Sequence, residues 1–491
     1  MIPTFFLVIL FIYGLLYFFD KFYKTCAHYP YIQFLKNTGF EIKFLQIKWE
    51  TTAFNRLLLR WGSSHSSFLS TWFSIGLNVT LIFLPISFVL LLVSLYQMFF
   101  VQNENPLESS IIVPIIPGAT LAISDLPYYV VSLVISSVFH EFGHALTAVK
   151  EDVHLINVGF TCIFILPIAY VGLNTEDILK LTPIKSLRIY CAGVWHNISL
   201  SIFFYLIFLM LPYIFSPFYE VNNGVIVTDL SPNSPLIGEN NGLNVGNQIF
   251  KINNCKINNF QDWINCINMY RNLNLGFCTP SEVISNHDET VFKHSSTNDF
   301  DCCNDQPGAL CFEYLEATNG ILEIPPHTCL PVRVVVSHSN NYCNSSNDCV
   351  IIENTHCLKP MLKDHSRVLV IKRKSEEKPI VYLGLAEDLL LTVRVSEYIP
   401  KYVYLSLNFP NSVEKIFKYI VVISLGLGIV NVLPSLWMDG HYISNALIKI
   451  LLGNRIKNEK IYLGVTLLVP FFGTLLFSSL VLHTLWVFVF K

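Results

Sequence analysis

Six stretches of the chain stay apolar over a length near or above the roughly 20 residues that an α-helix needs to cross a bilayer: 2–19, 72–101, 126–149, 189–218, 419–438 and 461–490. Each predicts a membrane-spanning helix. The first run has no basic flank before it and no small-residue cleavage site after it, and Asp20 and Lys21 close it, so an uncleaved span is expected. A further apolar run, 159–172, is too short to cross and is expected to be re-entrant or interfacial. Residues 219–412 read differently. Short runs such as the alternating 224–227, punctuated by Gly242-Leu243 and Gly246-Asn247, predict a small mixed domain of short strands and turns.

Charge orients these elements. Seven basic residues (Lys21, Lys24, Lys36, Lys43, Lys48, Arg56 and Arg60) lie between the first two runs. Lys150, Lys180, Lys185 and Arg188 follow the third run, and Lys449, Arg455, Lys457 and Lys460 follow the fifth, whereas 102–125 has no Lys or Arg. Loops rich in Lys and Arg stay cytosolic, which puts both termini and 219–412 on the lumenal side. Cysteine usage agrees: ten of the thirteen fall between Cys255 and Cys357, the pattern of a disulfide-forming compartment, although spacing does not give the pairing. Asn344-Ser345-Ser346 is a glycosylation sequon in this segment, while the sequons at Asn78 and Asn197 lie within apolar runs. The expected architecture is a polytopic α-helical membrane protein of about six spans with a lumenal α+β domain and Cys-rich insertion. It divides as 1–61, 62–125, 126–218, 219–412 and 413–491.

Composition narrows the function. Only 14% of residues are charged against 52% apolar, where a soluble protein carries about 25% charge. The net charge is -3 and no basic stripe appears, so a lipid bilayer is an expected partner and nucleic acid is not.

Within the third run stands His140-Glu141-Phe142-Gly143-His144. Positions i and i+4 share one helix face, so the two histidines can hold one metal while Glu141, one step round, reaches a water at its open position. Location strengthens the motif: an ionisable residue at mid-membrane costs about 2.5 to 3.5 kcal/mol, and zinc sites release about 10 to 16 kcal/mol. A catalytic zinc normally takes three protein ligands. The fifth run ends in Asn431-Val432-Leu433-Pro434, then Asp439-Gly440-His441, where Pro434 and Gly440 let the backbone unwind; either Asp439 or His441 can supply the third ligand. His154 and His196 read as interfacial or packing residues. Ser136 and Ser137 lack the Gly-x-Ser-x-Gly frame of a nucleophile.

The two segments together resemble the site-2 protease family of intramembrane zinc metalloproteases, marked by HExxH in one span and NxxPxxxxDG in another. The second motif is complete here as Asn431, Pro434, Asp439 and Gly440, and Ala192-Gly193-Val194-Trp195-His196-Asn197 is a further match. The resemblance covers nearly the whole chain. It implies one Zn2+ held by His140, His144 and Asp439, with Glu141 as catalytic base and Asn197 and Asn431 lining the site toward substrate or transition state. It also implies that residues 224–278 belong to a PDZ-like domain, with Asn247 where the family's turn usually carries Asp. The implied substrates are single-span transcription-factor precursors, such as sterol regulatory element-binding protein precursors, already cut once in the lumen, and the implied location is the Golgi or endoplasmic reticulum membrane. The competing expectation is a metal or ion transporter using the same His, Glu and Asp groups; no internal inverted repeat supports it.

Overall fold

A computed structural model of the chain describes residues 2–64, 66–100, 115, 121–164, 166–238, 242–291, 293–294, 300–303, 308–315, 327–339, 341–349, 354–362, 365–374, 376, 378–453 and 458–490. Two compact units result, one made of Met1–Leu209 with Glu414–Lys491 and the other of Met210–Val413. Most of the expected acidic loop 102–125 lies outside the described residues.

The first unit holds α1 (Ile2–Thr25), α2 (Tyr29–Thr38), α3 (Asn55–Ser64), α4 (Ser66–Phe100), α5 (Leu126–Lys150), α6 (Pro183–Phe215), α7 (Phe409–Val432), α8 (Asp439–Leu452) and α9 (Glu459–Phe490), the last residues of α6 and the first of α7 running into the second unit. Among the described residues, four helical segments are long and apolar enough to cross a membrane: Ser66–Phe100, Ile123–Lys150, Pro183–Phe215 and Glu459–Val487. The chain is a polytopic membrane protein. The buried face of α5 carries Ser132, Ser136, Ser137, Gly143 and Thr147 beside its histidines, small residues that let neighbouring helices approach closely where lipid supplies no hydrophobic drive. Ser136 Oγ and Ser424 Oγ of α7 stand 2.7 Å apart, and Ser201 of α6 donates to the Val421 carbonyl at 3.0 Å.

Three segments differ from the sequence expectation. The basic region before α4, expected as a loop, is folded into α2, β1 (Phe40–Lys43), β2 (Gln46–Thr51) and α3. The short apolar run becomes a hairpin of β3 (Leu155–Ile163) and β4 (Leu166–Leu173), and the four strands make one antiparallel sheet in the order β1-β2-β3-β4. The fifth run does not stay helical to its end: α7 stops at Val432, Pro434 cannot donate to a continuing ladder, and Asp439 opens α8 instead of closing a span.

In the second unit a six-stranded sheet runs in the order Ile380–Gly384, Arg367–Arg373, Gln248–Ile252, Val225–Leu230, Val393–Ser396, with Cys255–Lys256 paired to Gln248–Ile252. The helix Phe260–Asn272 buries Trp263, Ile267 and Tyr270 among Ile249, Ile252 and Leu369 of that sheet. Val225, Ile226 and Val227 are all buried, so this strand is covered on both faces and does not show the one-sided alternation expected of it. A five-stranded antiparallel sheet around Gly276–Pro280 and Thr355–Pro360 completes the unit. Five disulfides staple it: Cys255–Cys266, Cys278–Cys349, Cys302–Cys311, Cys303–Cys329 and Cys343–Cys357. All ten clustered cysteines are thereby paired, and Cys26, Cys162 and Cys191 are free. Cys278–Cys349 spans 71 residues and Cys302–Cys311 only 9. Loop-closure entropy then predicts that Cys278→Ala/Cys349→Ala lowers the unit's stability by about 4 kcal/mol and Cys302→Ala/Cys311→Ala by about 2.5 kcal/mol. Urea denaturation of the purified variants measures the difference, and equal losses would contradict it.

Candidate metal centre

The HExxH segment lies on α5, fourteen to eighteen residues along from Leu126, where the helix is regular. His140 Nε2 stands 3.0 Å from Asp439 Oδ2, His144 Nε2 is 3.2 Å from the same oxygen, and the two imidazole nitrogens are 3.1 Å apart. Three ligand atoms around one tetrahedral ion, each about 2.0 to 2.2 Å from it, would stand about 3.3 to 3.6 Å apart. The triangle is slightly tighter than that and fits a single small cation. Asp439 is brought to the pair by the break after α7. Thr474 of α9 fixes the irregular segment by accepting from Leu436 N at 2.9 Å and by pairing with Ser435 Oγ at 3.3 Å.

The far side of each ring is held as a metal ligand requires. His144 Nδ1 lies 2.9 Å from the Ile189 carbonyl, which can only accept, so Nδ1 carries the proton and Nε2 keeps its lone pair for a cation. His140 Nδ1 is 3.1 Å from the Asn197 carboxamide nitrogen, while the buried Asn197 Oδ1 has no partner among the described residues. Turning that amide over satisfies both groups: Oδ1 accepts from Nδ1–H of His140, and Nε2 is again free for a cation. Between these contacts, one helical turn from each, sits Gly193. A Cβ there would lie 2.6 Å from His140 Nε2 and would also strike His144 Nε2. Only a residue without a side chain leaves the histidines room.

Glu141 faces the sheet. Its Oε2 accepts from Val171 N of β4 at 3.0 Å, and Ser137, one turn before, accepts from Ala169 N at 2.7 Å. Asn431 is half-buried near the end of α7 and makes no side-chain hydrogen bond among the described residues. His441 is not brought to the pair; its Nε2 meets Asn445 at 3.5 Å and its Nδ1 has no partner among the described residues. His196 is buried against Phe73 and Phe139, accepts from Trp72 Nε1 at 3.3 Å and lies 3.2 Å from the Phe139 carbonyl, which is the packing role expected of it. His154 is exposed and pairs with Asp177 at 2.7 Å. Asn344 is exposed in the second unit. Sequence reasoning named Gly193 within the matching segment without giving it a role, and missed the Ile189 carbonyl and the Val171 amide; these two act through backbone atoms, and Gly193 by lacking a side chain.

Residues 128–472, more than half of the chain, match the family model described as Peptidase family M50. The chain is also 25% identical over 442 residues, 79% of its own length and 82% of the relative's, to the membrane-bound transcription factor site-2 protease homolog of Arabidopsis thaliana.

Gly193→Ala is expected to abolish stoichiometric metal in the purified protein, since the added methyl occupies the space between the rings. Asn197→Ala should weaken metal affinity about 10- to 100-fold. Gly426→Ala, where a Cβ meets nothing within 4 Å, is the control and should retain metal. Elemental analysis with chelator competition reads all three; a Gly193→Ala protein that keeps its metal would exclude the site between these rings.

Proposed function

Because the chain belongs to peptidase family M50, the site-2 protease family of metalloproteases, we propose that it is a zinc-dependent intramembrane endopeptidase that cuts a peptide bond within the transmembrane helix of a membrane-anchored substrate. The observation that carries this reading is the convergence of His140, His144 and Asp439 on one point, with each imidazole oriented from behind. These three residues hold the zinc. When bound, the ion polarises the scissile carbonyl and lowers the pKa of water at its open position. Glu141 takes the proton from the attacking water and returns it to the leaving amine. The Val171 amide holds one carboxylate oxygen of Glu141, so the other oxygen is the one left to move the proton. Asn197 acts by orienting His140; Asn431 is kept as a residue of the substrate path.

A helical substrate has its carbonyls bonded within the helix, so it must unwind locally before water can attack. In this reading α1 and α7 also cross the bilayer, giving six spans, and the basic loops lie in the cytosol. The disulfide-bonded unit, with its PDZ-like part and a glycan on Asn344, lies in the lumen of the Golgi or endoplasmic reticulum. Substrates of the class implied are single-span transcription-factor precursors, such as sterol regulatory element-binding protein precursors, after a first lumenal cut.

Glu141→Gln should lower cleavage about 10²- to 10⁴-fold while zinc stays bound, whereas His140→Ala, His144→Ala and Asp439→Ala should lose both. Normal activity in Glu141→Gln would remove it as the base. His140 is the fifteenth residue of α5, about 20 Å from its lumenal end at 1.5 Å per residue, so the cut should fall in the cytosolic third of the substrate span. Pro or Gly within that span should speed cleavage relative to an all-Leu helix. Mass spectrometry of the released fragments tests both statements, and a terminus in the lumenal half or equal rates would contradict them.

A further inference from the structure

On the sheet side of α5 lies an apolar cavity of about 270 Å³, walled by α3, by β2 to β4 and by the α5 stripe of Val138, Glu141, Phe142 and Ala145. These four recur at helical spacing and form one face of α5; His140 and His144 occupy the adjoining face. Glu141 stands on the boundary between the ligand triangle and the cavity. Among the described residues it is also the only charged one lining that cavity. Ala145 and Ala169 keep the space open from two sides, and both are buried. The volume lies just below the range of about 300 to 1,000 Å³ typical of pockets for small-molecule ligands, a size suited to a single large side chain.

We propose that this cavity receives the side chain of the substrate residue that supplies the leaving amine, and that it makes the protein select a large aliphatic or aromatic residue there. The inference rests on the reading of Glu141 as the base. In the reaction the water oxygen bonds to the scissile carbonyl carbon and one water proton passes to Glu141. The carbon–nitrogen bond then breaks, and the same proton goes to the departing nitrogen. For that transfer the nitrogen must come within about 2.6 to 3.2 Å of the Glu141 carboxylate. The side chain on the departing residue begins two bonds from that nitrogen, which puts it at the cavity mouth. The residue on the carbonyl side is drawn the other way, toward the ligand triangle.

The test uses the full chain in lipid nanodiscs and single-span substrates that differ only at the residue following the scissile bond, as Leu, Phe, Ala or Gly. Hydrophobic pockets discriminate about 10- to 200-fold per methylene. Leu should therefore exceed Ala by at least tenfold in kcat/KM. Leu57→Ala truncates a cavity-lining side chain on α3 that is 43% exposed and is not one of the ligand residues, and it should move the optimum from Leu toward Phe. Ala145→Leu should narrow the cavity and lower the Leu-to-Ala ratio tenfold or more. A flat series, a preference that follows the residue before the bond, or ratios unchanged in both variants with zinc still bound would overturn the proposal and leave the protease reading standing. Failure of the zinc-loaded wild-type protein to cut any member would overturn both.

Discussion

The close approach of α5 and α6 is the constraint from which the candidate metal centre follows. It is reciprocal. A Cβ on Gly143 of α5 would lie 2.7 Å from the Ala192 carbonyl and 2.8 Å from the His196 ring, and a Cβ on Gly193 of α6 would strike the imidazoles of His140 and His144. With both positions reduced to backbone, the stripe Ile189, Gly193 and Asn197, spaced four residues apart, lies along the His pair. Ile189 gives a carbonyl to His144 Nδ1, Gly193 gives open space to the two Nε2 atoms, and Asn197 gives a carboxamide to His140 Nδ1. Wider helix spacing would take all three partners away together. The rings would then sit in apolar surroundings with unsatisfied nitrogens, which is costly where no water can replace them.

A third helix extends this arrangement and then gives way. Ser136–Ser424 and Ser201–Val421 hold α7 against α5 and α6, and Gly428 lies beside Val194 and Asn197 with room for a Cβ at ordinary contact distance. Had α7 continued, Asp439 would have been carried a further two turns along the same axis. Instead the backbone leaves the helix after Val432, and two further glycines make the fold-back tight: Gly440 packs under the Leu433 carbonyl and Gly473 of α9 under the Pro434 carbonyl. Trp437 within this segment has φ of 67°, a left-handed conformation rare for a bulky residue. The loop is therefore over-determined from α9, and the carboxylate it delivers is fixed from outside the helix pair that it completes.

Much of this was written in side chains and therefore legible. The spacing of His140 and His144 needs only the helical period, and the length of the apolar runs needs only the thickness of a bilayer. Choosing between Asp439 and His441 required the position at which α8 begins, which residue type alone does not supply. The sheet was hidden for a different reason. Both of its tight hairpins turn at a bulky apolar residue, with φ of 58° at Leu45 and at Phe164. Tight hairpin turns ordinarily announce themselves by Asn-Gly or Asp-Gly, because positive φ is strained in other residues. Here the strain is offset by long-range bonds, Phe164 N to the Leu45 carbonyl at 3.0 Å and Tyr13 Oη to the Phe164 carbonyl at 2.7 Å. A local reading has no access to such partners.

The sheet's position bears on Glu141. β4 is the edge strand nearest α5, and alternate residues of an edge present amide groups with no strand to receive them. In a membrane protein such groups cannot be left to lipid. Helix α5 receives two of them, Ala169 N at Ser137 and Val171 N at Glu141. The carboxylate proposed to move protons is thus also a structural acceptor for the sheet edge, and the outward-facing amide of Val171 orients it. The intervening residues Tyr170 and Gly172 turn their own N–H and C=O groups toward β3, so only alternate residues of β4 can serve α5. The sheet, which sequence periodicity did not announce, is in this way coupled to the one carboxylate of the HExxH segment.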